Sequence, residues 1–295
     1  ALSRGWVVSI PDHEGSAGRW GIPREPGYLT LDGIRAAVGF AELGLTSSTQ
    51  VGLWGYSGGG LATAWAVEMA PEYAPEIPIL GGVLGSPVGD LPSAFLRLNG
   101  TLHAGLPTLV VAGLRRAYPE LRRIIEQNVD AEGLALLASA ENQSTAVAVV
   151  RLARHDLDDH LTMPLADLLA LPEMVAVFDD LQVGTRAPTV PLLVVQAVHD
   201  QIIDVDDIDG LVGRYHAHGV HVTYRRDRLS EHLSLLPLSA PASLDYLSDR
   251  INGRELPPSG TSTVWSVTFS RAAARGLKVF VVNVVRMVFR RPISG

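Results

Sequence analysis

The sequence contains no cysteine, which excludes a disulfide framework, a thiolate metal site and a cysteine nucleophile together. Basic residues are in deficit: 24 Lys and Arg stand against 31 Asp and Glu, a formal charge of −7. A general nucleic-acid binder carries the opposite surplus, so no nucleic-acid partner is expected. No stretch reaches 18 uninterrupted apolar residues, and the first residues lack the charged, apolar and small-residue succession of a secretory signal. What is present is apolar material, 47% of 295 residues, enough to bury a large core. The 29 Gly and 19 Pro mark many turns without reaching the level of a low-complexity polymer.

Strand-like apolar runs alternate with helix-length segments, the pattern of a mostly parallel sheet covered by helices on both faces. Strands are expected at 6–10, 50–54, 77–85, 190–198 and 220–224. Helices are expected at 28–43, 61–69, 207–218 and 242–251. Between residues 88 and 186 the alternation stops and helical patterns follow one another, at 107–117, 119–128, 131–140, 144–154 and 164–180. The expected organisation is therefore an α/β core over 1–87 and 187–255, an inserted all-helical cap over 88–186, and a tail over 256–295. Ala1 is not a start residue and the run at 6–10 already reads as a buried strand, so the chain is expected to be a processed or truncated piece of a longer one.

The chemistry begins at a strand followed by Gly55-Tyr56-Ser57-Gly58-Gly59 and a helix. A G-x-S-x-G segment on a strand-to-helix turn is a nucleophile elbow: the turn is so sharp that neighbours with a Cβ clash, and the serine is left above the sheet at a helix N-terminus. The bare pattern arises by chance in about one such chain in five, so its context carries the argument; the alternative is a Gly-rich turn in another α/β fold. A serine hydroxyl needs a base to take its proton and an acid to fix the base's tautomer. In α/β-hydrolases these follow in the order serine, acid, histidine. Asp200 sits where the strand at 190–198 ends, and His232 lies in Ser230-Glu231-His232-Leu233 after the strand at 220–224. Backbone N–H groups that receive the developing oxyanion are each worth about 3 kcal/mol; the expected donors are Gly58 and the Asp12-His13-Glu14-Gly15 loop, which otherwise reads as a simple Asx turn.

Two acidic clusters invite a metal. Asp200, Asp204, Asp206, Asp207 and Asp209 fail the calcium-loop pattern, because the fifth and twelfth positions counted from Asp204 are Ile208 and Tyr215; most of them suit a helix start. His155, Asp156, Asp158, Asp159 and His160 read as an exposed charged loop. No metal is expected.

Asp12-His13-Glu14-Gly15, Leu31-Asp32-Gly33-Ile34-Arg35-Ala36, Gly55-Tyr56-Ser57-Gly58-Gly59 and Glu231-His232-Leu233 follow in the order of the motifs of the secretory lipase family of the yeast lipase A type, which the chain resembles over most of residues 4 to 250. The resemblance implies an α/β-hydrolase with a helical cap, acting without a cofactor on triacylglycerols and simpler carboxylic esters. It implies Ser57 as nucleophile, Asp200 as acid, His232 as base and the backbones of Asp12 and Gly58 as oxyanion donors. It also implies a secreted or cell-envelope location. The sequence departs from the family in having no cysteine for disulfides, and the family's signal peptide and first sheet strands are expected to lie outside this piece of the chain. A non-catalytic hydrolase-like binding protein and an acyltransferase using the same triad stay open.

In the tail, Arg271, Arg275, Lys278, Arg286 and Arg290 fall on one side of a helical projection, opposite Leu277, Phe280, Val281, Val284 and Val288, with no acidic residue among them. That pattern suits a basic helix lying with the cap on a lipid surface. Its valines and Gly276 suit a strand or a packed tail equally.

Overall fold

A computed structural model describes residues 1–141 and 143–292. A helix, α1 (Glu25–Gly39), precedes strand β1 (Val51–Tyr56), helix α2 (Gly58–Tyr73) and strand β2 (Ile79–Gly85). A helical insert follows: α3 (Leu91–Leu98), α4 (Gly105–Ala117), α5 (Pro119–Asn128), α6 (Ala131–Ala140), α7 (Thr145–Arg151), α8 (Leu165–Leu169) and α9 (Pro172–Leu181). The chain then returns to β3 (Leu192–Ala197), α10 (Val205–Ala217), β4 (Val222–Asp227), α11 (His232–Ile251), β5 (Gly260–Val264) and α12 (Arg271–Val288).

The five strands form one parallel sheet in the order β1-β2-β3-β4-β5. Its two faces are built by strand alternation. In β3, Leu192 and Val194 point to the core shared with α2 and α10, whereas Leu193 and Val195 meet Tyr246 and Leu247 of α11 on the other face. Both faces being covered, β3 is apolar nearly throughout and wholly buried.

The helical insert has an apolar core of its own, with Leu114, Leu121, Ile125, Met174 and Val177 among its members. Both chain crossings into it are tied to the core by one group of side chains. Arg214 of α10 donates through Nε to the carbonyl of Val183 at 2.9 Å and through a terminal nitrogen to the carbonyl of Gly89 at 3.1 Å. Glu68 of α2 is buried, and its carboxylate accepts from the backbone N–H of Gly184 at 2.8 Å and of Arg186 at 3.3 Å and from the Tyr215 hydroxyl at 2.7 Å. Burial holds the Glu68 carboxyl above the usual carboxylate range.

Several expectations are corrected. Residues 6–10 form no strand: Trp6 packs against the α11 side of the sheet and Arg4 pairs with Asp245, so the run is docked by side chains and leaves Val7, Val8 and Ile10 exposed. The helix expected at 164–180 is two, because Pro172 forces Leu171 into an extended conformation (φ −59°, ψ 137°). The helix expected at 242–251 starts ten residues earlier at His232 and accommodates Pro237 and Pro241. The expected tail contributes a strand and a packed helix: β5 pairs with β4, and α12 lies on α11, where a Cβ on Gly276 would come within 2.2 Å of the Pro241 ring. Gly276 is therefore the point of helix contact rather than an interruption. The side chains of Arg271, Arg275, Leu277 and Phe280 lie outside the described residues.

Candidate active site

The elbow is strained at its serine. Ser57 has φ 54° and ψ −119°, and its N–H donates to the Gly85 carbonyl at 2.8 Å. The crowding that demands glycine is at Gly55, where a Cβ would sit 1.8 Å from the Gly59 carbonyl oxygen, and at Gly60, where it would meet Pro87 Cα at 2.9 Å. Gly58 and Gly59 have open space around the same position, so clash does not explain them. Ser57 occupies the N-cap of α2 but makes no capping bond with its side chain. Its Oγ lies instead 3.0 Å from Nε2 of His232. The Gly58 N–H, at the first turn of α2, has no acceptor within the helix.

His232 opens α11 and is buried. Three features hold it there. Glu231 caps the helix, accepting from the N–H of Ser234 at 2.7 Å and of Leu233 at 3.0 Å, while Ser234 Oγ accepts from the Glu231 N–H at 3.1 Å. The hydrogen bond from Gln201, together with these capping bonds, holds the Glu231 carboxyl down at about 2. The Tyr56 hydroxyl donates to the His232 carbonyl at 2.5 Å. Asp227, buried at the end of β4, accepts from the N–H groups of Leu229 and Ser230 at 2.9 Å and of Val267 at 2.6 Å, fixing the loop that leads to the histidine.

Nδ1 of His232 lies 2.8 Å from Oδ2 of Asp200, which is 2% exposed. Every acceptor position of Asp200 is in use. Oδ1 takes the N–H groups of Ile202 and Ile203, both at 2.8 Å, and Oδ2 also takes Nε2 of Gln196 at 3.1 Å. Gln196 Nε2 also donates to the carbonyl of Ile203 at 3.0 Å, so its amide can face only one way. Gln201 spans the two loops, donating to Glu231 at 2.6 Å and accepting the His232 N–H at 3.2 Å. The structure thus brings Ser57, His232 and Asp200 into one hydrogen-bonded line. Gln196, Gln201, Asp227 and the Tyr56 hydroxyl are supports that motif spacing does not reveal, because their roles depend on where loops from different strands meet.

The Asp12 loop is an Asx turn, in which Asp12 Oδ1 accepts the Glu14 N–H at 3.2 Å. Burial and the neighbouring Asp12 charge push the Glu14 carboxyl up to about 7, and burial holds the His13 imidazole below its ordinary value. Asp204 caps α10 by accepting the Asp206 N–H at 3.0 Å. Among the described residues no group of three or more His, Asp or Glu is arranged to hold a metal ion, and no helix is long and apolar enough to cross a membrane.

A parallel sheet wrapped by helices, with a strained serine on the turn after a strand and an acid and a histidine on later strand ends, defines an α/β-hydrolase. The chain belongs to the secretory lipase family, whose model matches residues 1–258. It is 51% identical over 294 residues to a Mycobacterium tuberculosis protein named a probable inactive lipase, covering all of this chain and 66% of that one. It is 32% identical over 297 residues to lipase A of Arthroderma benhamiae, covering 63% of it. The crystal structure of Candida antarctica lipase A superposes with a TM-score of 0.83 at 25% identity, covering 94% of this chain and 66% of that one. The chain therefore spans just under two thirds of the length of these relatives.

Proposed function

We propose that the chain hydrolyses carboxylic esters, triacylglycerols among them, through a covalent acyl-enzyme. Ser57 Oγ attacks the ester carbonyl carbon as His232 Nε2 takes its proton. The alcohol leaves with that proton, and water, deprotonated in turn by His232, releases the acid. Asp200 holds the imidazole with its Nδ1 proton inward and stabilises the imidazolium. The backbone N–H groups of Gly58 and Asp12 receive the oxyanion. The helical insert covers the site as a cap and supplies the acyl pocket, in keeping with the mostly apolar lining of such pockets. The family name supports a secreted protein.

The observation that carries the reading is the pair of contacts at His232, 2.8 Å to Asp200 and 3.0 Å to Ser57. Ser57→Ala abolishes ester hydrolysis on this reading; a variant as active as the wild type would end it. A series of esters from two-carbon to long acyl chains separates lipase from esterase, and assays with alcohol acceptors separate hydrolysis from acyl transfer.

A second reading, a hydrolase-like binding protein, is favoured by the name of the mycobacterial relative. Titration with a serine-directed phosphonate decides between them: stoichiometric labelling at Ser57 means a live nucleophile, and none means a binding fold.

A further inference from the structure

From residue 256 onward the chain holds six basic residues and no acidic one, leaving 18 basic against 31 acidic residues in the rest, a net −13. The six lie on α12 or just beyond it. This helix has three sides. One, with Ala273 buried and Gly276 against Pro241, packs on α11. The next exposes Val281, Val282, Val285, Val288 and Phe289, each between 40 and 73% exposed. The helical period places Lys278 within this strip and Arg286 and Arg290 beside it, and none of these, nor Arg291, forms an ion pair among the described residues.

A second group of exposed apolar side chains lies at the rim of the site. Leu229, Leu233, Trp265 and Phe269 are 62 to 77% exposed. Leu233 follows His232 directly, and the Leu229 N–H donates to the Trp265 carbonyl at 3.1 Å, so these residues surround the loop ends that carry the histidine.

We propose that α12 and this collar dock on an anionic lipid surface. Apart from the Trp265 indole N–H, the aliphatic strip and the exposed Phe and Leu side chains offer no hydrogen bond to a folded acidic partner, whereas a bilayer accepts such side chains below its headgroups and pairs the cations with lipid phosphates. The body, at −13, is repelled by the same surface, so only this side approaches it. The docked orientation turns the rim at His232 toward the lipid, where an ester substrate resides. The proposal rests on the ester-hydrolase reading for its purpose but not for its test.

The test uses full-length Ser57→Ala protein, so that no hydrolysis is needed, and vesicle co-sedimentation with pure phosphatidylcholine and with about one third phosphatidylglycerol. Each basic residue at an anionic surface contributes about fivefold in partitioning, so binding is expected only with phosphatidylglycerol, falling about 25-fold in Arg286→Gln/Arg290→Gln and weakening in high salt. Phe289→Ser with Val285→Ser is expected to reduce binding further, with far-ultraviolet circular dichroism unchanged. Equal binding to both vesicle types, binding indifferent to these substitutions, or no vesicle binding together with a concentration-dependent dimer that they abolish, would overturn the proposal. Vesicle binding by the Ser57→Ala protein combined with no ester hydrolysis by the wild-type protein would leave it standing and remove the ester-hydrolase reading instead.

Discussion

Replacing Asp200 by Asn tests the relay most directly, because the structure specifies how the amide must sit. Oδ1 is held by two backbone N–H groups at 2.8 Å that cannot move without rebuilding the loop at 201–203. The Asn carbonyl therefore keeps that position, and its NH₂ faces Gln196 Nε2 and His232 Nδ1. A donor against the Gln196 donor costs about 1–2 kcal/mol in stability. The larger effect is on the histidine, which must now accept at Nδ1 and carry its proton on Nε2, the atom 3.0 Å from Ser57. In that tautomer it cannot take the serine proton. In serine proteases the equivalent change costs about 10⁴-fold, and the same logic predicts a loss of about 10³ to 10⁴ in kcat/KM here, about 4–5 kcal/mol in the barrier. The assay is hydrolysis of a short, soluble nitrophenyl ester, with a thermal melt to show that the variant is folded. A folded Asp200→Asn variant within about tenfold of the wild type would refute the reasoning.

Gly55→Ala forces a Cβ to 1.8 Å from the Gly59 carbonyl oxygen, and a loss of at least about 3 kcal/mol is expected in a denaturant melt. Gly59→Ala, with open space at its Cβ, is expected to be neutral or stabilising by up to about 1 kcal/mol in the same melt; equal losses for the two would show the elbow to be misread. Glu231→Ala removes the cap of α11 and should cost about 1 kcal/mol in thermal unfolding together with some ester activity; an unchanged melt speaks against the capping role. Glu14 is raised in the folded state from 4.5 to about 7, so its contribution to stability is fully present below pH 4.5 and is lost as pH rises through 7. Discounted for its partly exposed position, the change is about 1 kcal/mol, and Glu14→Gln should flatten that part of the stability profile measured by melts at pH 4.5 and 7.5.

Much of the site was legible in the order of residues because each member sits at the end of a strand, where an apolar run stops and a polar residue begins. Ser57 and Asp200 are marked in this way, and His232 by the short polar loop before it. The supports were not legible: Gln196 reads as one polar residue within a buried strand, and Asp227 as the end of another, until the loops they join are seen together. The fold failed to show where local pattern and tertiary context disagree. Residues 6–10 have the composition of a strand but are held through Trp6 and Arg4. Pro237 and Pro241 read as breakers, yet α11 passes through both because its anchoring is tertiary, at His232, Leu235, Tyr246 and Leu247. The segment after residue 256 joins the sheet through backbone bonds that any short run beside an open edge can make.

The guanidinium that touches both Val183 and Gly89 means that the two ends of a segment of more than ninety residues meet within the span of one side chain. A chain excursion that leaves and re-enters at a single spot places no demand on the register of the strands on either side. Evolution and engineering can therefore lengthen, shorten or exchange the loops between α3 and α9 while β2 and β3 keep their pairing.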